Sequence, residues 1–411
     1  MTAQNQITSA EIMERANAIQ DQIVSWRRTI HKQPELSYTE VQTARLVQSV
    51  LNDLGIEAET GVAKTGVVGR IEGTGQTVGL RADMDALPIQ EENGSEFDSE
   101  RPGLMHACGH DAHTAMLLGA ATVLKGFADE GRLPGSVRFL FQPSEENRDD
   151  ENLSGGERMV KEGVMDEIDA VFGLHVDSRS TAGKIGTRAG GILAGGDSVK
   201  AVIRGAGGHG AAPHLANDPL VLAAHFLLAV QNIVSRRLDP LESGVVSLTT
   251  IQGGTAINVI PETVTIAGTM RSLNAETSQL LEDEMRRACK VVEALGGEVD
   301  LEIIKYYPPT VNDAAATQVV FDGVKRLLGD DQVHEPKPVM GGEDFSYMLR
   351  EKPGCFFVLG VKGEDWDQQY PVHTSTFRID ESALPIGTAA LVASAVEWMQ
   401  QKGKASQNAQ P

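Results

Sequence analysis

The chain has 411 residues, 41% of them hydrophobic, a composition typical of a soluble globular protein long enough for two domains. Its formal net charge of −21 argues against nucleic acid and anionic membranes as partners. The cysteines are too widely spaced to indicate a disulfide framework. The N-terminus is polar, and no apolar run approaches the roughly 18 residues of a membrane span. These features predict a cytoplasmic protein.

The first half of the chain alternates helical and strand-like patterns, as an α/β fold does. Residues 8–30 and 39–54 have the apolar spacing of two amphipathic helices. Strand-like segments then lead into potential metal ligands: 77–82 into Asp83 and Asp85, 136–141 into Glu145 and Glu146, and 170–174 into His175. Because loops at the carboxyl ends of strands build the active sites of open α/β sheets, we expect these side chains to meet at one edge.

The densest group of potential ligands lies in residues 105–113. This segment contains His106, Cys108, His110, Asp111 and His113, and Gly109 allows a sharp bend after the cysteine. Thiolate and imidazole suit zinc and related divalent ions, and carboxylates extend the choice to manganese. A closed structural zinc site would need more cysteines, so the pattern predicts an open, catalytic metal site. His373, in a late loop, is a further candidate ligand.

The composition changes after residue 187. Residues 188–308 follow a β-α-β-β-α-β order, which is that of a ferredoxin-like domain. From about residue 313 the α/β pattern resumes. The sequence therefore predicts a small domain inserted between two parts of a catalytic domain, residues 1–187 and 309–411.

One motif of the small domain imitates a nucleotide site. Gly205, Gly207 and Gly210 follow a strand and match the dinucleotide fingerprint G-x-G-x-x-G. However, the next helix begins only near Asn217, and no acid follows about 20 residues later to contact a ribose. The sequence therefore disfavours dinucleotide binding, and His209 becomes the residue of interest in this loop.

Adjacent Glu145 and Glu146 indicate the type of chemistry. In an extended backbone their side chains point to opposite sides, so that one can hold a metal while the other serves as a base for water. The phosphate-binding pattern G-x-x-x-x-G-K-[ST] is absent, which favours attack on an acyl group. Arg271, at the end of a strand, is a candidate partner for a substrate carboxylate.

Several motifs carry a family resemblance. They are residues 81–88, 106–111, 141–146, 207–214, 253–261, 268–271, 341–345 and His373. Together they resemble the amidohydrolase branch of the aminoacylase/carboxypeptidase-G-type metallopeptidases, which includes hippurate hydrolases, auxin-conjugate hydrolases and N-acetyl-amino-acid deacetylases. The resemblance extends over residues 20–400. It implies an α/β, di-metal catalytic domain with a mixed sheet flanked by helices, and an inserted ferredoxin-like α+β domain through which two copies form a homodimer.

The resemblance also implies roles for individual residues. Two divalent ions, manganese or zinc with cobalt or nickel as alternatives, would be held by Cys108, His110, Glu146, His175 and His373. Glu145 matches the general base, and His209 matches a histidine that polarises the scissile carbonyl in the partner subunit. Asn258 and Arg271 match groups that hold the substrate carboxylate, and Asp83 and Asp85 match positions that orient the ligands.

The leading hypothesis is a metal-dependent amidohydrolase that cleaves N-acyl amino acids to a carboxylate and a free amino acid. A metal-dependent dipeptidase or carboxypeptidase is the alternative within the same fold. A thiol hydrolase would use Cys108 as the nucleophile and His110 or His113 as the base. A binding protein on this fold would be expected to lack Glu145. Residues 176–178 lack the tryptophan and proline often found there, which leaves the acyl group and the amino acid open.

Overall fold

The computed structural model describes residues 6–408, with side chains up to residue 401. The helices are α1 Ser9–Ala18, α2 Gln20–Lys32, α3 Val41–Asp53, α4 His110–Asp129, α5 Gly155–Lys161, α6 Pro219–Val230, α7 Ala275–Ala294, α8 Ala314–Leu328, α9 Phe345–Glu351 and α10 Leu384–Asn408. The strands are β1 Glu57–Val62, β2 Gly66–Ile71, β3 Thr77–Asp83, β4 Ser136–Gln142, β5 Ala170–Thr181, β6 Ile185–Gly186, β7 Gly190–Leu193, β8 Gly195–Arg204, β9 Gly208–His209, β10 Gly244–Gln252, β11 Val259–Ile260, β12 Thr263–Ser272, β13 Glu298–Lys305, β14 Thr310–Asn312, β15 Val333–His334 and β16 Gly354–Lys362.

The first of two compact units combines the chain up to Gly190 with Asn312–Lys337 and the chain from Tyr347 onward. Within the described residues it contains an eight-stranded sheet of order β1-β2-β4-β3-β5-β16-β6-β15. Strands β4, β3, β5 and β16 are parallel neighbours, whereas β1 and β2 add antiparallel pairs at one edge. The predicted mixed sheet flanked by helices is confirmed.

Helix α4 lies at the centre of this unit. All of its residues from His110 to Ala121 are buried, and those from Ala115 to Ala121 are apolar, as expected for a helix that the core surrounds. Residues 381–401, which include most of α10, have the length and hydropathy of a membrane span, but 83% of that window is buried inside the unit. They therefore behave as a core helix, and the potential ligand His110, in the first turn of α4, is carried by a buried element.

Two sequence predictions for this unit are wrong. The helix predicted over residues 8–30 is two helices, because the backbone leaves the helical conformation at Ile19. The strand predicted to end before His175 continues to Thr181, because β16 pairs with β5 well past the histidine. His175 therefore projects from within a strand.

The second unit comprises Gly191–Val311 and Pro338–Ser346. Its antiparallel sheet has the order β10-β12-β8-β13, and α6 and α7 pack against the face to which alternate residues of β8 point. This is the predicted ferredoxin-like α+β arrangement, which is confirmed. The domain bounds 1–187, 188–308 and 309–411 stay a prediction.

Candidate metal centre and active site

The first unit brings together the potential ligands that the sequence places on separate segments. Asp83 ends β3, Asp85 lies in the loop that follows, and Cys108 precedes α4. The other members are His110 at the start of α4, Glu145 and Glu146 after β4, His175 within β5, and His373 in the loop after β16. These side chains, which lie up to 290 positions apart in the chain, form one cluster. The structure thus provides a candidate metal centre at one edge of the sheet.

Cys108 lies at the middle of this cluster. Its Sγ is 3.4 Å from Nε2 of His175 and 3.3 Å from Nε2 of His373. Cys108 belongs to two groups whose ligand atoms all lie within 4.8 Å of one another, one with His110 and His175 and one with Glu146 and His373. The same sulfur therefore belongs to both groups of potential ligands.

The electrostatics of Cys108 also favour a cation. Burial raises the pKa of its thiol well above the usual range, and the negative charges of Glu146, Glu145 and Asp83 raise the pKa further. A thiolate in this position therefore requires a nearby positive charge. A divalent ion held by these residues would supply that charge, because metal coordination stabilises the deprotonated thiol.

Gly109 determines how the chain enters α4. Its φ of 88° lies in the left-handed region, which favours glycine. A Cβ atom at this position would also lie 2.5 Å from Cγ2 of Val176 on the neighbouring strand. The positive φ and the close approach of Val176 both exclude a larger residue at this position. The bend at Gly109 places Cys108 and His110 at the same site.

His110 has one ring nitrogen committed and one available. Its Nδ1 lies 3.1 Å from Oδ1 of Asp85, whereas its buried Nε2 has no hydrogen-bond partner among the described residues and is 3.6 Å from Asp83. Burial lowers the pKa of His110, but the charges of Asp83 and Asp85 outweigh burial and raise the pKa to about 10. A buried, unpartnered nitrogen on an imidazole oriented by a carboxylate is the arrangement found in metal-ligating histidines. The residues present therefore fit a metal.

The two other histidines of the cluster are also oriented. The Nδ1 of His175 lies 2.8 Å from the carbonyl oxygen of Val176, to which it donates, leaving Nε2 directed at Cys108. The backbone N–H of His373 donates to the carbonyl oxygen of Ala107 at 2.8 Å, and its φ of 63° is unusual for a residue other than glycine. The carboxylate of Glu146, which lies 3.1 Å from Nε2 of His373, raises the pKa of His373. The cluster thus holds its ligands through backbone contacts as well as side chains.

Asp85 connects the two halves of the site. Besides facing His110, its carboxylate accepts the backbone N–H groups of Glu145 at 3.1 Å and Glu146 at 3.0 Å. It also accepts the hydroxyl of Ser37 at 2.7 Å. One carboxylate therefore fixes both an imidazole ligand and the segment that carries the two glutamates.

The extended backbone predicted for Glu145 and Glu146 is wrong. Strand β4 ends at Gln142, and Ser144 has a φ of 49°, so the glutamates lie in a tight bend. Hydrogen bonds from both backbone N–H groups to Asp85 hold this bend closed. Even so, Glu145 is buried, and both carboxylates lie within reach of His110 in one ligand group.

Glu40 is a residue of the site that the sequence reasoning missed. Its carboxylate accepts the backbone N–H of Ser144 at 2.8 Å and the hydroxyl of Thr65. Burial, together with the charge of Asp85, raises the pKa of Glu40 to about 7. The sequence gives no signal for this contact, because Glu40 lies 104 positions before Ser144 and precedes an ordinary helix.

His113 bears on the thiol-hydrolase alternative. Its Nδ1 lies 2.6 Å from Oδ1 of Asp83, and its Nε2 accepts the backbone N–H of Val176 at 3.0 Å. Both nitrogens are thus engaged, Nδ1 with the end of β3 and Nε2 with β5, which leaves neither for proton transfer. The thiol of Cys108 also has a raised pKa, whereas a cysteine nucleophile needs a lowered one. The geometry disfavours a cysteine nucleophile.

The other predicted site residues lie in the second unit. His209 lies on β9, and Asn258 directly precedes β11, the strand with which β9 pairs; the N–H of Gly210 donates to the carbonyl of Asn258. The N–H of Ala211 donates to Nδ1 of exposed His209 at 3.0 Å, so the neutral imidazole carries its proton on Nε2. Arg271 lies on β12, in the main sheet of this unit.

Comparison with known sequences identifies similar proteins over nearly the whole chain. A model described as peptidase family M20/M25/M40 matches residues 79–397. Thermostable carboxypeptidase 2 of Saccharolobus solfataricus is 42% identical, across 92% of this chain and 96% of that protein. IAA-amino acid hydrolase ILR1-like 2 of Arabidopsis thaliana is 42% identical, across 93% and 86%. N-acetyl-L-cysteine deacetylase of Bacillus subtilis is 39% identical, across 90% and 86%.

Solved structures agree with these sequences. A structure from methicillin resistant Staphylococcus aureus superposes with a TM-score of 0.90 at 35% identity, covering 95% of this chain and all of that one. A Bacillus subtilis protein described as a dinuclear metal binding peptidase has a TM-score of 0.80 at 32% identity, covering 93% and 99%. The similarity therefore includes both units and a fold in which a relative binds two metals.

Proposed function

The chain belongs to peptidase family M20/M25/M40, and we propose that its substrates are N-acyl amino acids, which it hydrolyses to a carboxylate and a free amino acid. The family assignment confirms the resemblance predicted from the motifs, and the protein is a metal-dependent hydrolase of amide bonds. The observation that carries the proposal is the cluster around Cys108, in which two ligand groups lie beside the buried carboxylate of Glu145.

The proposed ligands of two divalent ions are Cys108, His110, Glu146, His175 and His373. When bound, such ions act as Lewis acids and lower the pKa of water. Sulfur, nitrogen and oxygen donors together suit manganese or zinc, with cobalt or nickel as alternatives. Asp83 and Asp85 hold His113 and His110 and thereby orient the ligands.

Glu145 is the proposed general base. The oxygen of a water molecule attacks the acyl carbon, and the Glu145 carboxylate accepts the proton that the water loses. As the carbon–nitrogen bond breaks, the same carboxyl delivers that proton to the departing amine. Because its backbone is held by Asp85, Glu145 needs no rearrangement between the two proton transfers.

His209 is the proposed electrophile. With Nδ1 occupied by the N–H of Ala211, its Nε2–H is free to donate to the carbonyl oxygen that becomes negative during attack. Such a donor stabilises the transition state more than the ground state, because the oxygen carries more charge at that point. We propose that this histidine serves the site of the partner subunit.

Asn258 and Arg271 are proposed to bind the substrate carboxylate. Arg271 is half-buried and has no ion pair or hydrogen bond among the described residues. The acid next to its cross-strand neighbour, Asp197, is already paired with Lys305 at 2.9 Å. A half-buried guanidinium without a partner among the described residues is suited to a carboxylate from outside the chain.

The second unit is the proposed dimer interface, as predicted for residues 188–308. Residues 219–237 have the length and hydropathy of a membrane span, yet only 33% of that window is buried, and Leu228 and Val221 are 68% and 53% exposed. Strand β10, an edge strand of the sheet, offers unpaired backbone groups. A second copy of the chain would cover both surfaces in a self-complementary contact, which suits a homodimer in the cytoplasm.

A dipeptidase or carboxypeptidase is the second candidate. The specific observation in its favour is the 42% identity to thermostable carboxypeptidases 1 and 2 of Saccharolobus solfataricus. The two candidates differ in the acyl group attached to the nitrogen of the released amino acid. In an N-acyl amino acid this group carries no charge, whereas in a dipeptide it is a second residue with a free amine.

The test is release of amino acid from a panel of N-acetyl, N-benzoyl and N-indoleacetyl amino acids and of matched dipeptides, with Mn²⁺ or Zn²⁺ and with chelator. We expect metal-dependent release from the acylated substrates and little from the dipeptides. Faster release from dipeptides would favour the peptidase instead. Release that survives complete chelation would contradict both and would restore Cys108 as a nucleophile.

A further inference from the structure

The guanidinium of Arg271 lies in a space that a glycine keeps open. Gly196, on β8, is the direct cross-strand partner of Arg271 on β12. An ideal Cβ atom built on Gly196 would lie 2.1 Å from Nη1 of Arg271 and 2.9 Å from its Cζ. The arginine side chain therefore crosses over the backbone of Gly196, in a volume that any other residue type would occupy.

The backbone at Gly196 does not itself require glycine. Its φ lies outside the left-handed region, and it keeps regular strand contacts: its N–H donates to Tyr307 at 2.9 Å and its carbonyl accepts from Tyr306 at 3.0 Å. An alanine can adopt this conformation without strain. The structural reason for glycine is thus the space taken by the guanidinium of Arg271.

A second glycine borders the same group. A Cβ atom on Gly342 would lie 3.8 Å from Nη1 of Arg271 and 3.2 Å from the ring of Tyr307. The guanidinium is therefore bordered by two backbone segments without side chains, and none of the described carboxylates pairs with it. Its hydrogen-bond donors remain available to a ligand that brings its own carboxylate.

We propose that Gly196 is a specificity-determining residue, which positions Arg271 to bind the carboxylate of the substrate's amino acid part. This inference rests on the proposed function, in which Arg271 binds that carboxylate. With any side chain at position 196, the guanidinium must move by roughly 1 Å or more to restore normal contact distances, and displacements of that size can cost about 10²-fold in kcat/KM. Because the displaced atoms are the end of a flexible side chain at the edge of solvent, the fold is retained.

The test compares Gly196→Ala with wild type on an N-acyl amino acid and on its carboxamide, which lacks the negative charge. We expect KM for the acid to rise about 10- to 100-fold while kcat changes by less than about threefold, because uniform binding is lost. Hydrolysis of the carboxamide should be the same in both proteins. The thermal midpoints of the two proteins should agree within a few degrees.

A matched control and a double variant separate positioning from structural damage. Gly341→Ala is the control, because a Cβ there meets only Leu193, at 3.8 Å, and it should leave KM unchanged. In an Arg271→Ala background, Gly196→Ala should raise KM no further, because the group it displaces is already gone. Additive effects would overturn the proposal.

The remaining outcomes distinguish a failure of the role proposed for Gly196 from a failure of the proposed function. An active wild type in which Arg271→Ala raises KM but Gly196→Ala does not would overturn the role of Gly196 alone. If Arg271→Ala also leaves KM unchanged, the carboxylate assignment is overturned as well. A wild type that hydrolyses none of the acylated substrates with metal present would overturn the proposed function together with the inference.

Discussion

His31 should make the stability of the first unit depend on pH in the alkaline range. This buried histidine lies between two carboxylates, with Nδ1 2.8 Å from Asp111 and Nε2 3.0 Å from Glu91. Arg27, on the same helix, also contacts Asp111, and the buried ring of His106 lies 6.3 Å away. Burial and Arg27 lower the pKa of His31, but the two carboxylates outweigh them and raise the pKa to about 9.

The magnitude follows from the shift in pKa. A histidine that titrates near 6.5 in the unfolded chain and near 9 in the folded chain contributes about 3 kcal/mol to the free energy of unfolding. Because the folded pKa is the higher one, this contribution is complete below about pH 6.5. It falls as the pH rises further and is lost above about pH 9.

The assay is chemical denaturation of wild type and His31→Gln at pH 6 and pH 10. All three tryptophans, Trp26, Trp366 and Trp398, belong to the first unit, so their fluorescence reports on that unit alone. The stability advantage of wild type should shrink by about 3 kcal/mol between the two pH values. An advantage that stays constant within about 0.5 kcal/mol would refute the reasoning, and substitution of exposed His225 by Gln should change nothing.

Three further predictions address the site and the assembly. Asp85→Asn removes the charge facing His110, so metal content measured at limiting metal and turnover should both fall about 10- to 100-fold, whereas unchanged values would deny Asp85 an orienting role. Leu228→Lys should convert a dimer to a monomer in analytical ultracentrifugation, and a persistent dimer would place the interface elsewhere. Mixed dimers of Glu145→Gln and His209→Ala chains should regain activity that neither variant has alone, because one composite site keeps both residues; no recovery would count against sharing between subunits.

The potential ligands could be read from sequence because they follow strand-like runs and combine unusual residue types. Cys108 and His110 stand together in one short segment, Glu145 follows a buried strand, and His175 lies within one. Local patterns therefore carried the fold class and the position of the cluster.

The contacts that orient these residues could not be read in the same way. Glu40 reaches Ser144 across 104 positions, and His31 reaches Asp111 across 80. Such pairs obey no local period, since they depend on how distant segments pack. The bend at Glu145 was also missed, because a positive φ at Ser144 is stabilised by Asp85 and Glu40, not by local propensity.

The most direct test of the account is turnover and metal content of Glu145→Gln beside Glu146→Gln, measured with an N-acyl amino acid in saturating metal. If Glu145 is the base and Glu146 a ligand, the first variant keeps two metal ions per chain and loses at least about 10²-fold in kcat. The second should lose a metal ion when free metal is lowered. Near-normal turnover of Glu145→Gln with both ions bound would contradict the assignment of the base and, with it, the mechanism proposed for this site.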